Sequence, residues 1–281
     1  MNIHPFFPEL VLLAGCLLAF CMTLGKVGTG TMRRTVVGIA LAYALITLWG
    51  LPLKGSLFYG AYRVDLFSQM VKCAMALGFF LMLLFGGDIR GIDDDVRAEY
   101  YFFLLTALLG LTLLVSSVEL VTLFIALELS SYSLYLLVPM RAGPAGQTRH
   151  AEAAVKYLLF GVASSGIMLF GISWIFVLAG STYLVDILPV LRTVSSTAVG
   201  VMALTMLLCG MFFKLAVFPF HFWTPDVYEG ASNETTAFIA ALPKVAAVAV
   251  LARFCALAAP EMAAMPGVAA LAEGAVGAGG T

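Results

Sequence analysis

Long apolar runs fill most of the chain between residues 8 and 258, and short polar segments separate them. A membrane core is spanned by about 20 mainly apolar helical residues, because backbone groups exposed to lipid must hydrogen-bond within their own segment. The runs therefore predict an all-α, polytopic bundle of about eight transmembrane helices. The predicted spans are 8–25, 33–52, 65–86, 100–116, 119–139, 152–179, 197–220 and 235–258.

The scarcity of charge excludes several classes of protein. Charged residues make up 11% of the chain and hydrophobic residues 62%, whereas soluble domains carry about 25% charged residues. No basic cluster is available for nucleic acid, and no glycine-rich strand-to-helix turn for NADH. The five cysteines lie singly in apolar runs, without a Cys/His cluster. We therefore expect no metal and no cofactor in this chain.

The charges between the spans predict an orientation. Cytoplasmic loops of membrane proteins carry an excess of Lys and Arg, and alternate loops face the same side. One side collects Lys26, Arg33, Arg34, Arg90, Arg97, Arg141 and Arg149, against Lys54, Arg63 and Arg192 on the other. We therefore expect the N-terminus to lie outside.

Three parts are predicted along the chain. Residues 1–99 form an N-terminal three-helix segment, and residues 100–259 form a five-helix unit. Residues 260–281 are a low-complexity tail with neither a full span nor a helix cap, so we expect the chain to be truncated there.

Four ionisable residues inside predicted spans are candidates for a functional role, each in a different helix: Glu128, Lys156, Lys214 and Lys244. A charge at the centre of the membrane costs at least about 2.5 kcal/mol, so its presence is by default a functional hypothesis. Burial disfavours the charged form of a carboxylate or a lysine, so either group can gain or lose a proton. We predict a proton path built from these side chains.

Helical spacing predicts the surroundings of Glu128. Ser131, Tyr132 and Tyr135 share its face, so the carboxylate is expected to look into a hydroxyl-lined interior. An opposed Glu and Lys set each other's protonation in a medium of low dielectric constant. The alternative is a static buried ion pair that orders the helices.

Two of the lysines differ in their sequence context. Lys214 lies in mid-span and precedes Pro219, which predicts an interrupted helix, and His221 on the same face is a candidate proton relay. Lys156 follows Glu152 by four residues near a loop, so a local ion pair or extension to the headgroups is an equally good interpretation. Lys72, near the start of the third span, is ambiguous in the same way.

Several of these motifs together resemble the antiporter-like membrane subunits of respiratory complex I, the NADH:quinone oxidoreductase. The resemblance rests on residues 124–136 around Glu128, 151–157 around Lys156, 213–231 with Lys214 and His221, and 236–244 ending at Lys244. Residues 7–10 and 64–68 are similar to the subunit N branch in particular.

The resemblance implies a proton-translocating subunit of a bacterial inner-membrane complex, with other membrane subunits as partners. Glu128, Lys214 and Lys244 would be its principal proton-transfer residues, with Lys156 and His221 secondary. Flavin and iron–sulfur clusters would belong to partner subunits, and quinone would be a substrate of the complex. The bundle would hold the first of two inverted five-helix repeats.

Two alternatives remain open from the sequence. One is a subunit of a multisubunit cation/proton antiporter or of a membrane-bound hydrogenase, which use similar Glu and Lys motifs. The other is a structural assembly subunit whose ion pairs are static.

Overall fold

Ten helices account for most of the part of the chain that the structure, a computed structural model, describes: residues 4–25, 27–87, 89, 91–142, 147–194 and 196–258. The helices are α1 (Phe7–Leu24), α2 (Thr29–Trp49), α3 (Leu66–Phe85), α4 (Arg97–Ser116), α5 (Leu120–Leu137), α6 (Gln147–Ala179), α7 (Leu184–Val194), α8 (Ala198–Leu215), α9 (Trp223–Gly230) and α10 (Asn233–Ala258).

Eight segments of the described residues are long and apolar enough to cross a membrane: α1 to α6, α8 and α10, three of them with a few flanking residues. Each overlaps one predicted span, so the prediction of an all-α polytopic bundle is confirmed. The predicted division at residues 99 and 259 stays a prediction, and the tail 260–281 lies outside the described residues.

Two short strands and two short helices were not predicted. Two three-residue strands, β1 (Gly55–Leu57) and β2 (Tyr62–Val64), pair antiparallel between α2 and α3. The short helices α7 and α9 lie before and after α8. Strands of three residues are too short to show an alternating pattern, and neither helix is long enough to span a membrane.

The centre of the bundle is formed by α4 and α5. The spans that contain these two helices are 67% and 61% buried, against 33% for the spans of α1, α2 and α6. Gly110 on α4 permits the contact, because a Cβ there would lie 2.5 Å from the backbone nitrogen of Ser130 on α5. The surrounding helices expose many large apolar side chains, as a lipid-facing surface requires.

The two ends of the bundle are closed differently. One end, named the hairpin end, contains β1 and β2. There the backbone N–H of Val118 donates to the carbonyl of Ala61, which precedes β2, and the N–H of Leu184 at the start of α7 donates to the carbonyl of Val118. At the other, named the loop end, Arg141 donates hydrogen bonds to the carbonyls of Glu229 and Ala231 beside α9. Because successive spans run in opposite directions, each inter-helix segment has a defined end.

Candidate proton-transfer site

Glu128 lies in the middle of α5 and points into the bundle. The residue is 8% exposed, and its Oε1 accepts a hydrogen bond of 2.5 Å from the hydroxyl of Ser165 on α6. Ser131 and Tyr135 on the same helix are also buried. Gly161 on α6 makes room for this arrangement, because a Cβ there would overlap the Tyr135 hydroxyl.

The predicted interior position of Tyr132 is wrong. Tyr132 is 52% exposed, on the outer surface of α5. At about 100° per residue it lies about 40° to one side of Glu128, whereas Ser131 and Tyr135 lie to the other side. The interior face of α5 is therefore centred on Ser131 and Tyr135.

Lys214, the second principal residue predicted for proton transfer, lies near the end of α8. The residue is 3% exposed, and its Nζ has no hydrogen-bond partner in the described part of the chain. Its charge interacts electrostatically with the Glu128 carboxylate. A buried ammonium without hydrogen bonds is costly, because nothing replaces its hydration. The neutral amine is free of that cost.

The predicted interruption after Lys214 is confirmed. Helix α8 ends at Leu215, and Ala216 adopts the left-handed conformation at φ 55° and ψ 38°. The next helix, α9, begins at Trp223, whose indole N–H donates to the carbonyl of Phe213 at 3.2 Å. The last turn of α8 is thereby fixed by a side chain from beyond the break.

Because the helix breaks after Lys214, helical spacing does not support a relay role for His221. The expected shared face with Lys214 is wrong, because the helix ends six residues before the histidine. His221 instead stacks on Phe222 with 4.7 Å between ring centroids. Its Nδ1 is buried without a hydrogen-bond partner among the described residues.

Lys244 lies on α10, next to Pro243, and is half-buried. Its Nζ is 5.6 Å from the centroid of the Tyr228 ring on α9, within range of a cation–π interaction. The Tyr228 hydroxyl is itself buried without a hydrogen-bond partner in the described segments. Lys244 therefore lies beside a polar group that belongs to the interrupted segment.

Lys156 is separate from the Glu128 and Lys214 pair. Its side chain is 40% exposed, and Nζ lies 2.8 Å from both the Glu152 and the Asp226 carboxylates. The local ion pair expected from the sequence is therefore present, and Asp226 extends it to α9. Because two carboxylates stabilise its ammonium form, this partly exposed lysine is disfavoured as a proton donor.

An apolar cavity of about 300 Å³ lies beside the break. It is lined mainly by apolar side chains of α6, α8 and the turn that follows, including Phe160, Ile167, Phe213 and Pro219. Such a lining offers few hydrogen-bond partners to water. The cavity is therefore not a hydrated path in itself.

Sequence reasoning did not identify two sets of buried polar residues as candidate site residues. Ser165 lies in an apolar run with no charge nearby in sequence, so no signal marked it. Glu9 and Lys72, whose Oε1 and Nζ atoms are 2.6 Å apart, form a buried pair on α1 and α3. Their polarity within spans was visible, but their pairing across 63 residues of sequence was not.

Comparisons with known proteins identify the family of the chain. The family described as "NADH:quinone oxidoreductase/Mrp antiporter, TM" matches residues 117–276, more than half of the chain. The chain belongs to this family. The matched residues include Glu128, Ser165, Lys214 and Lys244 of the candidate site.

Curated relatives in the family share the predicted subunit type. The chain is 48% identical over 255 residues to NADH-quinone oxidoreductase subunit N 2 of Opitutus terrae, covering 91% of this chain and 53% of that protein. It is 41% identical over 266 residues to the protein of the same name from Solidesulfovibrio magneticus, covering 93% and 55%. The resemblance to subunit N is confirmed. The chain spans about half the length of the curated relatives it matches.

Two solved structures share the fold of this chain. A chain of respiratory complex I from Thermus thermophilus, solved with bound Aureothin, superposes with a TM-score of 0.73 at 25% identity, covering 95% of this chain and 62% of that one. A chain of the Mrp complex from Dietzia sp. superposes with a TM-score of 0.77 at 17% identity, covering 94% and 51%. The second likeness shows the fold alone.

Proposed function

We propose that this chain is a proton-translocating membrane subunit of an NADH:quinone oxidoreductase. The observation that carries the proposal is the buried pair of Glu128, hydrogen-bonded to Ser165, and Lys214, which has no hydrogen-bond partner in the described residues. Both groups can exist charged or neutral, and each biases the other because their charges interact in a medium of low dielectric constant.

The chemistry of the proposed site is proton transfer between groups on different helices. The ionised Glu128 carboxylate stabilises the buried charge of Lys214 electrostatically. Lys214 therefore releases its proton when that stabilisation is lost. Any change that protonates Glu128 therefore favours the loss of the Lys214 proton. The pair acts as an electrostatic switch on α5 and α8.

Three further residues extend the proposed path. Lys244 lies next to Tyr228 in the interrupted segment, which suits a group that passes protons onward. His221, with its unpartnered Nδ1, is a candidate relay. Lys156 would act through its ion pair with Asp226, which fastens α6 to α9.

The energy for translocation would come from partner subunits. Moving one charge across the membrane costs about 2.3 kcal/mol per 100 mV, and no redox group belongs to this chain in the proposal. Flavin and iron–sulfur clusters would be held by partners, with quinone as the substrate of the complex. The chain would thus contribute to a translocase without redox chemistry of its own, in the bacterial inner membrane with its N-terminus outside.

An antiporter subunit is the second candidate. The family description includes the Mrp antiporter, and the Dietzia sp. structure shares the fold. Proton movement that needs NADH oxidation supports the oxidoreductase, whereas proton movement driven by a sodium gradient supports the antiporter.

Substitution of the buried pair tests the proposal. We expect Lys214→Ala and Glu128→Gln to slow proton transfer through this subunit by about 100-fold, because the titratable groups are lost. The measurement is the number of protons moved per NADH oxidised by the assembled complex in liposomes, normalised to the amount of assembled subunit. Lys54→Ala is the matched control, because Lys54 is exposed at the hairpin end.

Normal assembly with unchanged proton pumping in both variants contradicts the proposal. Loss of assembly in Lys214→Ala, with normal pumping by the complex that does form, supports a structural assembly subunit instead.

A further inference from the structure

A second set of buried ionisable groups lies at the hairpin end, away from Glu128 and Lys214. Glu9 is 1% exposed and Lys72 is fully buried. Nζ of Lys72 lies 2.6 Å from Oε1 of Glu9. The Tyr62 hydroxyl donates to the same oxygen at 2.6 Å and accepts a hydrogen bond of 2.9 Å from Lys72. Each of the three groups therefore contacts the other two.

Only one of the two oxygens of the Glu9 carboxylate has hydrogen-bond partners in the described part of the chain. Both donors converge on Oε1, while Oε2 is buried without a hydrogen-bond partner in the described part of the chain. An ionised carboxylate accepts hydrogen bonds on both oxygens, and a buried oxygen without a donor costs free energy. One oxygen of Glu9 therefore lacks the hydrogen bond that an ionised carboxylate would accept.

The neighbouring pair of Asp65 and Arg253 shows the contrast. Arg253 binds both oxygens of Asp65, at 2.7 Å and 3.0 Å, and the backbone N–H of Ser68 adds a third hydrogen bond of 2.8 Å. A guanidinium does not give up its proton in proteins. This pair is locked in its ionised form, whereas Glu9 and Lys72 become neutral when one proton moves.

The surroundings couple the exchangeable pair to other helices. The charges of Asp65 and Arg253 both act on Lys72, and Tyr43 on α2 interacts electrostatically with Glu9. Arg253 lies on α10, nine residues after Lys244. A shift of α10 would therefore change the electrostatic balance of the Glu9 and Lys72 pair.

We propose that Glu9, Tyr62 and Lys72 form a second proton-exchange site at the hairpin end. In the exchange step, the bond from Nζ of Lys72 to its proton breaks and an O–H bond forms on Tyr62. The original hydroxyl proton of Tyr62 passes to Oε1 of Glu9. The ammonium and carboxylate become an amine and a carboxylic acid, with no change in net charge. The amine then binds one further proton, which is the ligand of the site.

Infrared difference spectroscopy of the full chain in lipid nanodiscs tests this site. Between about pH 8 and pH 5, we expect a carboxylic-acid C=O band to grow as the pH falls. The band is expected to be lost in Glu9→Gln and kept in Glu128→Gln. In Lys72→Met we expect the band at every pH in this range, because a buried carboxylate without its partner is held protonated.

The absence of a Glu9-dependent band across that range overturns the proposal and leaves a static ion pair. If Glu9→Gln fails to fold, Glu9→Asp serves instead, and a band whose frequency does not shift in that variant is equally contradictory. The test is independent of the proposed function. Unchanged pumping in Glu128→Gln would count against the Glu128 and Lys214 path without removing the band.

Discussion

Lysines of the same chemistry have different surroundings in this bundle, and the surroundings decide what each can do. Lys214 is buried without a hydrogen bond in the described residues, Lys72 is buried against Glu9, and Lys156 is partly exposed between two carboxylates. The first is the least stabilised as a cation and the last the most. The capacity to release a proton therefore follows from the contacts of each residue and not from its type.

Ser165 holds the Glu128 carboxylate through a single hydrogen bond. Replacing it leaves a buried carboxylate oxygen without a donor, so we expect Ser165→Ala to lower the free energy of unfolding by about 1–3 kcal/mol. Thermal unfolding in detergent measures the change. Ser164→Ala is the matched control, because Ser164 is equally buried but donates to the carbonyl of Gly161. Equal effects of the two substitutions would contradict a specific role for Ser165.

Asp65 gives the bundle a pH-dependent contribution to stability. Burial raises the pKa of this carboxyl, but the hydrogen bonds and charge of Arg253, together with hydrogen bonds from Ser68, outweigh burial and hold the pKa below its ordinary value. A lowered pKa in the folded state means that this stability is fully present above the ordinary carboxyl pKa. It is lost as the pH falls through the folded value.

We expect Asp65→Asn to lower the free energy of unfolding by about 3–5 kcal/mol at neutral pH, because Arg253 is left buried and unpaired. The difference in unfolding free energy between the wild type and the variant should begin to narrow below about pH 4, the ordinary carboxyl pKa. It should close as the pH falls through the lower folded value, where the wild-type carboxyl also becomes protonated. Unfolding measured as a function of pH checks both statements. Asp94→Asn is the control, since Asp94 is 78% exposed. A gap that is constant with pH would rule out the stated cause.

Helices α5 and α6 approach closely only because a glycine lies between them. Gly161 faces the Tyr135 hydroxyl, which occupies the space of a side chain. This contact sits one turn from Ser165, on the same helix. The separation of the two helices therefore sets whether Ser165 reaches Glu128.

We expect Gly161→Ala to cost about 1–3 kcal/mol of unfolding free energy, because the added methyl group displaces Tyr135 or pushes α6 away. Proton pumping should fall with it, as Ser165 moves from Glu128. Gly166→Ala on the same helix is the control. A Cβ there meets nothing within 4 Å, so a gain of about 0.5–1 kcal/mol is expected. Unfolding and pumping that do not change in Gly161→Ala would show that the contact is not tight.

The two buried ion pairs and the candidate site lie at different depths between the hairpin end and the loop end of the bundle. Glu9, Lys72, Asp65 and Arg253 gather at the hairpin end, while Glu128 lies in the middle of α5. Lys156 and Asp226 lie at the loop end. Charged groups are thus spread across the bundle, mostly on helices that contact one another.

The predicted orientation can be tested at this scale. With the N-terminus outside, a cysteine in Lys54→Cys at the hairpin end should react with a membrane-impermeant maleimide in intact cells. A cysteine in Asp94→Cys, near the loop end, should react only after the membrane is opened. Both positions are exposed, so accessibility depends on the side of the membrane. The reverse labelling pattern would place the N-terminus inside.

Sequence reasoning found Glu128 and Lys214 because a charge inside an apolar run is conspicuous without knowledge of the fold. It also found the break after Lys214, since Pro219 follows within one and a half turns. It misplaced Tyr132 and His221. Both errors came from extending helical geometry without knowing which face packs inward or where the helix ends.

The sequence by itself determined that this chain crosses a membrane as a helical bundle, because hydropathy acts over whole segments and needs no knowledge of packing. It also determined which spans carry ionisable groups. Only the tertiary structure decided that Ser165 serves Glu128, that Lys156 binds Asp226, and that Glu9 meets Lys72. Such pairings join residues far apart in the chain, and they depend on helix rotation and approach distance, which small residues such as Gly161 set.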